Sequence, residues 1–312
     1  MSPVLAIHGG AGTVRPSSMG PDAERAYRAG LFRSLMAGHE VLAAGGPAIE
    51  AVTAAVIALE DDPLFNAGHG AVFTRDGRHE MDAAVMDGAI LRVGAVANVC
   101  GPRNPVLAAR AVMEHSPHIL LAGPGALDFL HAQGVPSVES GYFDTPGRWD
   151  ALQAMQAAQA TFSADLDDAD RHGTVGAVAL DHFGNLAAAT STGGMTGKLP
   201  GRIGDTPIPG AGTWADAACA MSATGHGESF IRIAAGHELS ARMRLAHEDL
   251  DTAAAAVMAA LASAGGTGGF VALDRTGRVA LPFNTRGMYR GVVNAKGIAR
   301  TGLYQEPLQV SD

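Results

Sequence analysis

The chain has 312 residues, with 22 Lys and Arg against 31 Asp and Glu and a formal net charge of −9. That balance argues against nucleic acid or an anionic membrane as the main partner. A hydrophobic content of 47% with only 17% charged residues excludes disorder and supplies a large core. The 41 glycines and 5% aromatics point to close backbone packing filled by Ala and Val.

Val4 to Ile7 reads as a short buried strand, followed by a glycine turn at His8-Gly-Gly-Ala-Gly12. The N-terminus has no basic region and too short an apolar run for a signal peptide. Apolar spacing predicts helices over Asp22 to Ala44 and Pro47 to Leu59. An acidic, Pro- and Gly-containing loop then precedes a predicted hairpin, Ala71 to Thr74 and Glu80 to Met86, around the turn Arg75-Asp-Gly-Arg78. Further helices are expected at Pro105 to Glu114, Ala126 to Gln133 and Arg148 to Gln159. Residues 155–173 read as an exposed linker, acidic from Ser163 to Asp170. Strands follow at Thr174 to Leu180 and Asn185 to Ser191, then helices at Glu228 to Arg244 and Leu250 to Ala262. A late hairpin of Phe270 to Leu273 and Arg278 to Phe283 repeats the earlier one. This order suggests two packed sheets with helices outside.

No apolar stretch is long enough to span a bilayer. Cys100 and Cys219 can form neither a disulfide framework nor a Cys-x-x-Cys metal site, so a reducing, cytoplasmic setting is expected. His8-Gly-Gly-Ala-Gly12 lacks dinucleotide-loop spacing, and Gly193-Gly-Met-Thr-Gly-Lys-Leu199 has Leu where a phosphate loop needs Ser or Thr. His237-Glu238 lacks the second His of a zinc helix, since Ala241 stands there, and no G-x-S-x-G elbow occurs.

The junction His172-Gly-Thr-Val-Gly-Ala-Val178 carries chemistry. A Thr hydroxyl needs a base, and cutting the chain before Thr174 would supply one from its own α-amine, whose intrinsic pKa is about 7.7 to 8.0. Gly173 lacks a Cβ, so it tolerates the strained backbone of an attack on its own carbonyl. Alone, the junction reads more simply as a strand starting after a loop.

Seven ordered segments extend the pattern: Ile7-His-Gly-Gly-Ala-Gly12, Pro63-Leu-Phe-Asn-Ala-Gly-His-Gly-Ala-Val-Phe-Thr74, Met81-Asp-Ala-Ala-Val-Met-Asp-Gly88, His172 to Asp181, Ser191-Thr-Gly-Gly194, Lys198-Leu-Pro-Gly-Arg-Ile-Gly-Asp205 and Ala223-Thr-Gly-His-Gly-Glu228. With them the chain resembles the plant-type asparaginase and isoaspartyl peptidase family of N-terminal nucleophile (Ntn) hydrolases. The resemblance implies an α/β four-layer αββα sandwich of the Ntn-hydrolase type, formed as one domain over 1–312. It also implies self-cleavage between Gly173 and Thr174 into subunits 1–173 and 174–312. The expected substrates are L-asparagine and β-aspartyl dipeptides, and the expected assembly is a dimer of processed heterodimers.

By the same resemblance, Thr174 is the nucleophile and base, Thr192 tunes it, and Asn66 lies beside it. Thr224 and Gly225 serve the oxyanion, and Gly227 contacts substrate through its backbone. Arg202 grips the α-carboxylate and Asp205 the α-ammonium; read without the family, these two are a surface ion pair. No cofactor is required for the chemistry. A structural sodium ion is expected on the main-chain oxygens of Leu59, Glu60, Asp62, Phe65, Ala67 and His69. The alternatives are a glycosylasparaginase-like amidase, for which His-Asp-Thr would be usual where this chain has His-Gly-Thr, or an uncleaved binding protein on the same fold.

Overall fold

The computed structural model describes residues 1–12, 19–160 and 173–311. The first half runs β1 (Val4–Gly12), α1 (Pro21–Ala43), α2 (Ala48–Glu60), β2 (Met81–Asp87), β3 (Arg92–Val99), α3 (Pro105–His115), β4 (Leu120–Ala122), α4 (Gly123–Ala132) and α5 (Pro146–Ala160). The second runs β5 (Val175–Leu180), β6 (Leu186–Thr192), β7 (Thr213–Ala215), β8 (Cys219–Gly225), α6 (Gly227–Ile233), α7 (Ala235–Leu245), α8 (Leu250–Ser263), β9 (Gly268–Asp274), β10 (Val279–Ala280), β11 (Gly287–Asn294), β12 (Ala299–Tyr304) and β13 (Gln309–Val310).

Among the described residues the strands form a nine-stranded sheet, ordered β13-β12-β11-β1-β5-β6-β2-β3-β4, and a four-stranded sheet, ordered β10-β9-β8-β7. The period-2 alternation of β5 explains how they pack. Val175, Ala177 and Ala179 face Leu35 of α1 and Val52 and Val56 of α2. Val178 and Leu180 point the other way, into a cluster with Ala220 of β8 and Val271 and Leu273 of β9. The far side of the smaller sheet buries Met221 and Phe270 against Leu239 of α7 and Val257 and Leu261 of α8. With both faces covered, β5 reads as an unbroken apolar run, VGAVAL. Small residues at 177, 179, 187 and 189, all fully or almost fully buried, let α2 lie close to the sheet.

Several expectations are corrected. His8-Gly-Gly-Ala-Gly12 is not a turn; β1 runs through it with a bulge between His8 and Gly10, where Gly10 takes φ 116°. Residues 71–74 form no hairpin with 80–86. Thr74 instead closes a turn by accepting from Arg78 N, and β2 pairs with β3 and β6. The single helix expected over 228–244 is two, broken at Ala234, whose φ of 47° is left-handed. The strand expected over 278–283 is only β10. The linker expected over 155–173 begins inside α5, while 161–172, with the acidic run and His172, lie outside the described residues. Cys100 and Cys219 are both free, and no helix among the described residues is long and apolar enough to cross a membrane.

Candidate active site

The start of β5, the end of β6 and the loop after α2 bring Thr174, Thr192 and Asn66 together. Thr174 Oγ1 donates to Thr192 Oγ1 at 3.2 Å, and Thr192 Oγ1 donates to the Gly173 carbonyl at 2.9 Å. Asn66 Nδ2 donates to the same carbonyl at 2.7 Å and to Gly194 O at 2.7 Å. The other amide atom of Asn66 accepts from Val72 N, which fixes its orientation. Thr192 Oγ1 also accepts from Gly194 N at 2.9 Å. The carbonyl before Thr174 therefore has two donors, and the Thr174 hydroxyl lies beside one of them. Such an arrangement can stabilise charge developing on that oxygen.

Beneath the junction, β1 comes close. A Cβ on Gly10 would lie 3.2 Å from Gly173 Cα, so the bulge supplies a floor of bare backbone. Gly173, Thr174, Thr192, Gly194, Met195, Arg202, Gly204, Asp205 and Gly225 together line one cleft.

Arg202 and Asp205 are not an ion pair with each other. Arg202 gives Nε and Nη2 to the two oxygens of Glu228, each at 2.9 Å. Burial would raise the Glu228 carboxyl, but the hydrogen bond and charge of Arg202 outweigh it and hold it down to about 2. Glu228 thus takes one edge of the guanidinium and leaves the edge that includes Nη1. Asp205 is buried, and its Oδ2 has no hydrogen-bond partner. Burial pushes its carboxyl up to about 7, against the pull of its own backbone N–H and of Arg202. A buried orphan carboxylate beside a half-used guanidinium fits a ligand that brings both an ammonium and a carboxylate. A Cβ on Gly227 would lie 2.6 Å from Asp205 Oδ1 and 3.1 Å from Arg202 Nη2, so only glycine leaves that space open.

Thr224, at the end of β8, accepts from Ala11 N at 3.2 Å and so ties the two sheets together. Its hydroxyl hydrogen is the part it could offer to an oxyanion. Gly225 lines the cleft with φ 132°, which only glycine adopts readily. Two residues next to the site escaped the sequence reading, Glu228 and His8. Both lie within segments quoted above, the first in an ordinary helix-start position and the second at what looked like a turn.

The loop from Leu59 to His69 holds Asn66 in place. Among the described residues no three His, Cys, Asp or Glu side chains converge as a metal site, so any ion there would rely on carbonyls. The carbonyls of Leu59, Asp62, Phe65 and Ala67 each accept a backbone N–H within the loop, which leaves each a second lone pair. Gly68, at φ 53°, comes so close to Glu60 O that a Cβ would lie 2.4 Å from it. Neutral carbonyl oxygens are the donor type a hard monovalent cation would take.

Known proteins resemble this chain over most of its length. The family model described as Asparaginase matches residues 1–303. The chain is 50% identical to the isoaspartyl peptidase of Salmonella typhimurium over 309 residues, covering 97% of this chain and 99% of that protein. It is equally similar to the isoaspartyl peptidase of Escherichia coli, at 50% over 97% of this chain and 96% of that one. The human isoaspartyl peptidase/L-asparaginase is 42% identical over 75% of this chain and 74% of its own. The chain belongs to the asparaginase family.

Proposed function

We propose that this chain is a self-activating Thr hydrolase acting on L-asparagine and on β-aspartyl dipeptides. The observation that carries the reading is the Thr174 hydroxyl at 3.2 Å from Thr192, next to a Gly173 carbonyl held by Asn66 and Thr192. Relatives named isoaspartyl peptidase or L-asparaginase across nearly the whole chain support the substrate class.

In maturation, Thr174 Oγ1 attacks the Gly173 carbonyl carbon and passes its proton towards Thr192. The oxyanion rests on Asn66 and Thr192, the C–N bond breaks as the proton is handed on to the departing Thr174 nitrogen, and an ester replaces the amide. Water hydrolyses the ester, leaving a Gly173 carboxylate and a Thr174 with free hydroxyl and amine. In turnover that amine, with an intrinsic pKa of about 8, takes the hydroxyl proton as Oγ1 attacks the substrate β-carbonyl. Thr224 and Gly225 face the new oxyanion. Arg202 and Asp205 hold the α-carboxylate and α-ammonium beside Gly227. Ammonia or an amino acid leaves, and water releases aspartate.

The same reading makes 1–312 one domain with the four-layer αββα order of Ntn hydrolases, supported by two helix-facing core clusters and one between the sheets. It makes 1–173 and 174–312 the mature subunits and two such heterodimers the assembly. The Leu59, Glu60, Asp62, Phe65, Ala67 and His69 carbonyls would hold a sodium ion that shapes the Asn66 loop and takes no part in the chemistry. Two free cysteines suit a cytoplasmic setting.

Denaturing electrophoresis with N-terminal sequencing tests the reading. Wild type is expected to yield 1–173 and 174–312, the latter starting at Thr174, and to hydrolyse asparagine. Thr174→Ala should stay intact and inactive. A Thr174→Ala chain that still splits there overturns the scheme, and an intact, inactive wild type favours the binding-protein alternative.

A further inference from the structure

The inter-sheet face of β1 and β5 changes character along its length. At one end Ala6, Val178 and Leu180 pack against the apolar face of β8 and β9. At the other a fully buried His8 bridges the sheets: its Nδ1 lies 2.9 Å from the Thr174 carbonyl and its Nε2 lies 2.8 Å from Ser222 Oγ. Ser222 Oγ is 2.7 Å from Thr190 Oγ1, which is in turn 2.7 Å from Thr213 Oγ1, itself 3.0 Å from Thr206 O.

The donor directions follow from which atoms can only accept. The Thr174 carbonyl has no hydrogen, so Nδ1 carries the proton and Nε2 accepts from Ser222. Ser222 has then spent its one hydrogen, so Thr190 donates to it, and Thr213 stands behind Thr190. Burial lowers the His8 pKa to about 3, only partly offset by the bond to Thr174, so the ring stays neutral. A neutral ring can hold this single tautomer, which the Thr174 carbonyl sets and three hydroxyls back, Ser222 and Thr213 from the smaller sheet and Thr190 from the larger.

β1 pairs with β5 only from Val4–Leu180 to His8–Gly176, and past the bulge at Gly9 it stays beside Gly173 and Thr174 without a further ladder pair. The Thr174 carbonyl, just past the last pair, is held by the His8 ring instead. A Cβ on Gly176 would lie 1.9 Å from Ser222 Oγ and 2.6 Å from His8 Nε2, so the glycine two residues after Thr174 makes room for the bridge.

We infer that His8 is a positioning residue for Thr174: by holding the Thr174 carbonyl, with Ser222, Thr190 and Thr213 fixing its tautomer, it sets the plane of the Thr174–Val175 peptide and aims Oγ1. This rests on the assignment of Thr174 as nucleophile. No contact runs from His8 to Arg202 or Asp205 among its hydrogen bonds, so its effect should fall on turnover and not on binding.

The test compares two amides at position 8 in the full chain. Asn places an N–H near where Nδ1 was, while Gln places its polar atoms nearer Nε2. Extent of cleavage is read on denaturing gels, and kcat and KM for asparagine are taken per cleaved molecule. His8→Gln should lower kcat about tenfold, the size of one lost neutral hydrogen bond, with KM within about twofold, and His8→Asn should recover most of it. If His8→Gln matches wild type, or if the two amides are equally impaired, the role is packing alone and the inference falls. Should both variants fail to fold, Ser222→Ala decides. A kcat loss at unchanged KM upholds the chain, and wild-type kcat overturns it. A wild type that is neither cut nor active would instead defeat the nucleophile assignment itself.

Discussion

Around Gly173 and Thr174 the polar groups are neutral and already bonded within the chain: the carbonyl has Asn66 and Thr192, and Asn66 has Val72 and Gly194. Around Arg202 and Asp205, in the same cleft, the groups are charged, and one is incomplete, since Asp205 Oδ2 is buried with no partner. The first region needs nothing from outside because the bond it holds belongs to its own chain. The second bears the cost of an unpaired buried carboxyl group, about 1 to 3 kcal/mol when neutral and more when charged, until a ligand relieves it. One cleft thus combines a region complete in the free protein with one that has a partner still to gain.

The largest expected effect breaks the neutral side. Thr192→Val removes a donor from the Gly173 carbonyl and should slow self-cleavage about 10²- to 10³-fold, read as the rate of band conversion. Thr192→Ser should restore most of it. Next comes the charged side, where Arg202→Ala should leave cleavage intact but lower kcat/KM for asparagine. Arg202 is 15% exposed and its partner Glu228 39%, so the low end of the usual range applies, about 2 kcal/mol or thirtyfold. The preference for asparagine over its α-amide should shrink with it, and unchanged discrimination would make Arg202 structural.

The third effect is a pH dependence confined to the charged side. With the Asp205 carboxyl near 7, binding an ammonium must expel a proton below that pH. Aspartate affinity by calorimetry should therefore rise about tenfold from pH 6 to pH 8, and Asp205→Asn should flatten the profile. In the free protein the sign is opposite. Folded Asp205 keeps a proton that the unfolded chain loses near pH 4, so its contribution to stability declines as pH rises from about 4 to 7. The smallest effect tests the guanidinium edge: Glu228→Gln should raise KM about threefold by loosening Arg202, with kcat unchanged.

The sequence made the neutral side more legible than the charged one. Thr174, Thr192 and Asn66 lie in short motifs whose spacing survives folding. Glu228 looked like any acid in a helical first turn, and nothing local tells that its partner lies 26 positions earlier. Long helices with clear apolar faces, such as α1 and α8, were readable to within a residue or so. Strands were harder: β11, GMYRGVVN, contains two glycines and an arginine, and Arg290 is buried because the carbonyls of Met288, Tyr304 and Glu306 satisfy it. β8, CAMSATG, is hidden in the same way, since its inward Ser222 and Thr224 bond across the sheets instead of signalling a surface.

The strand order of the larger sheet has a consequence for a severed chain. Read across, it takes three strands from beyond residue 174, one from before, two from beyond and three from before. The two segments are shuffled like a cut deck. A break before Thr174 would leave three ladder seams between them, β11 with β1, β1 with β5, and β6 with β2, all within the sheet interior. The halves could not part without unzipping all three seams, so mild conditions should never resolve them. Nor could either half complete the sheet alone, so an intact 173–174 peptide bond would deliver both segments to one sheet, and a later cut there would leave all three ladders in place.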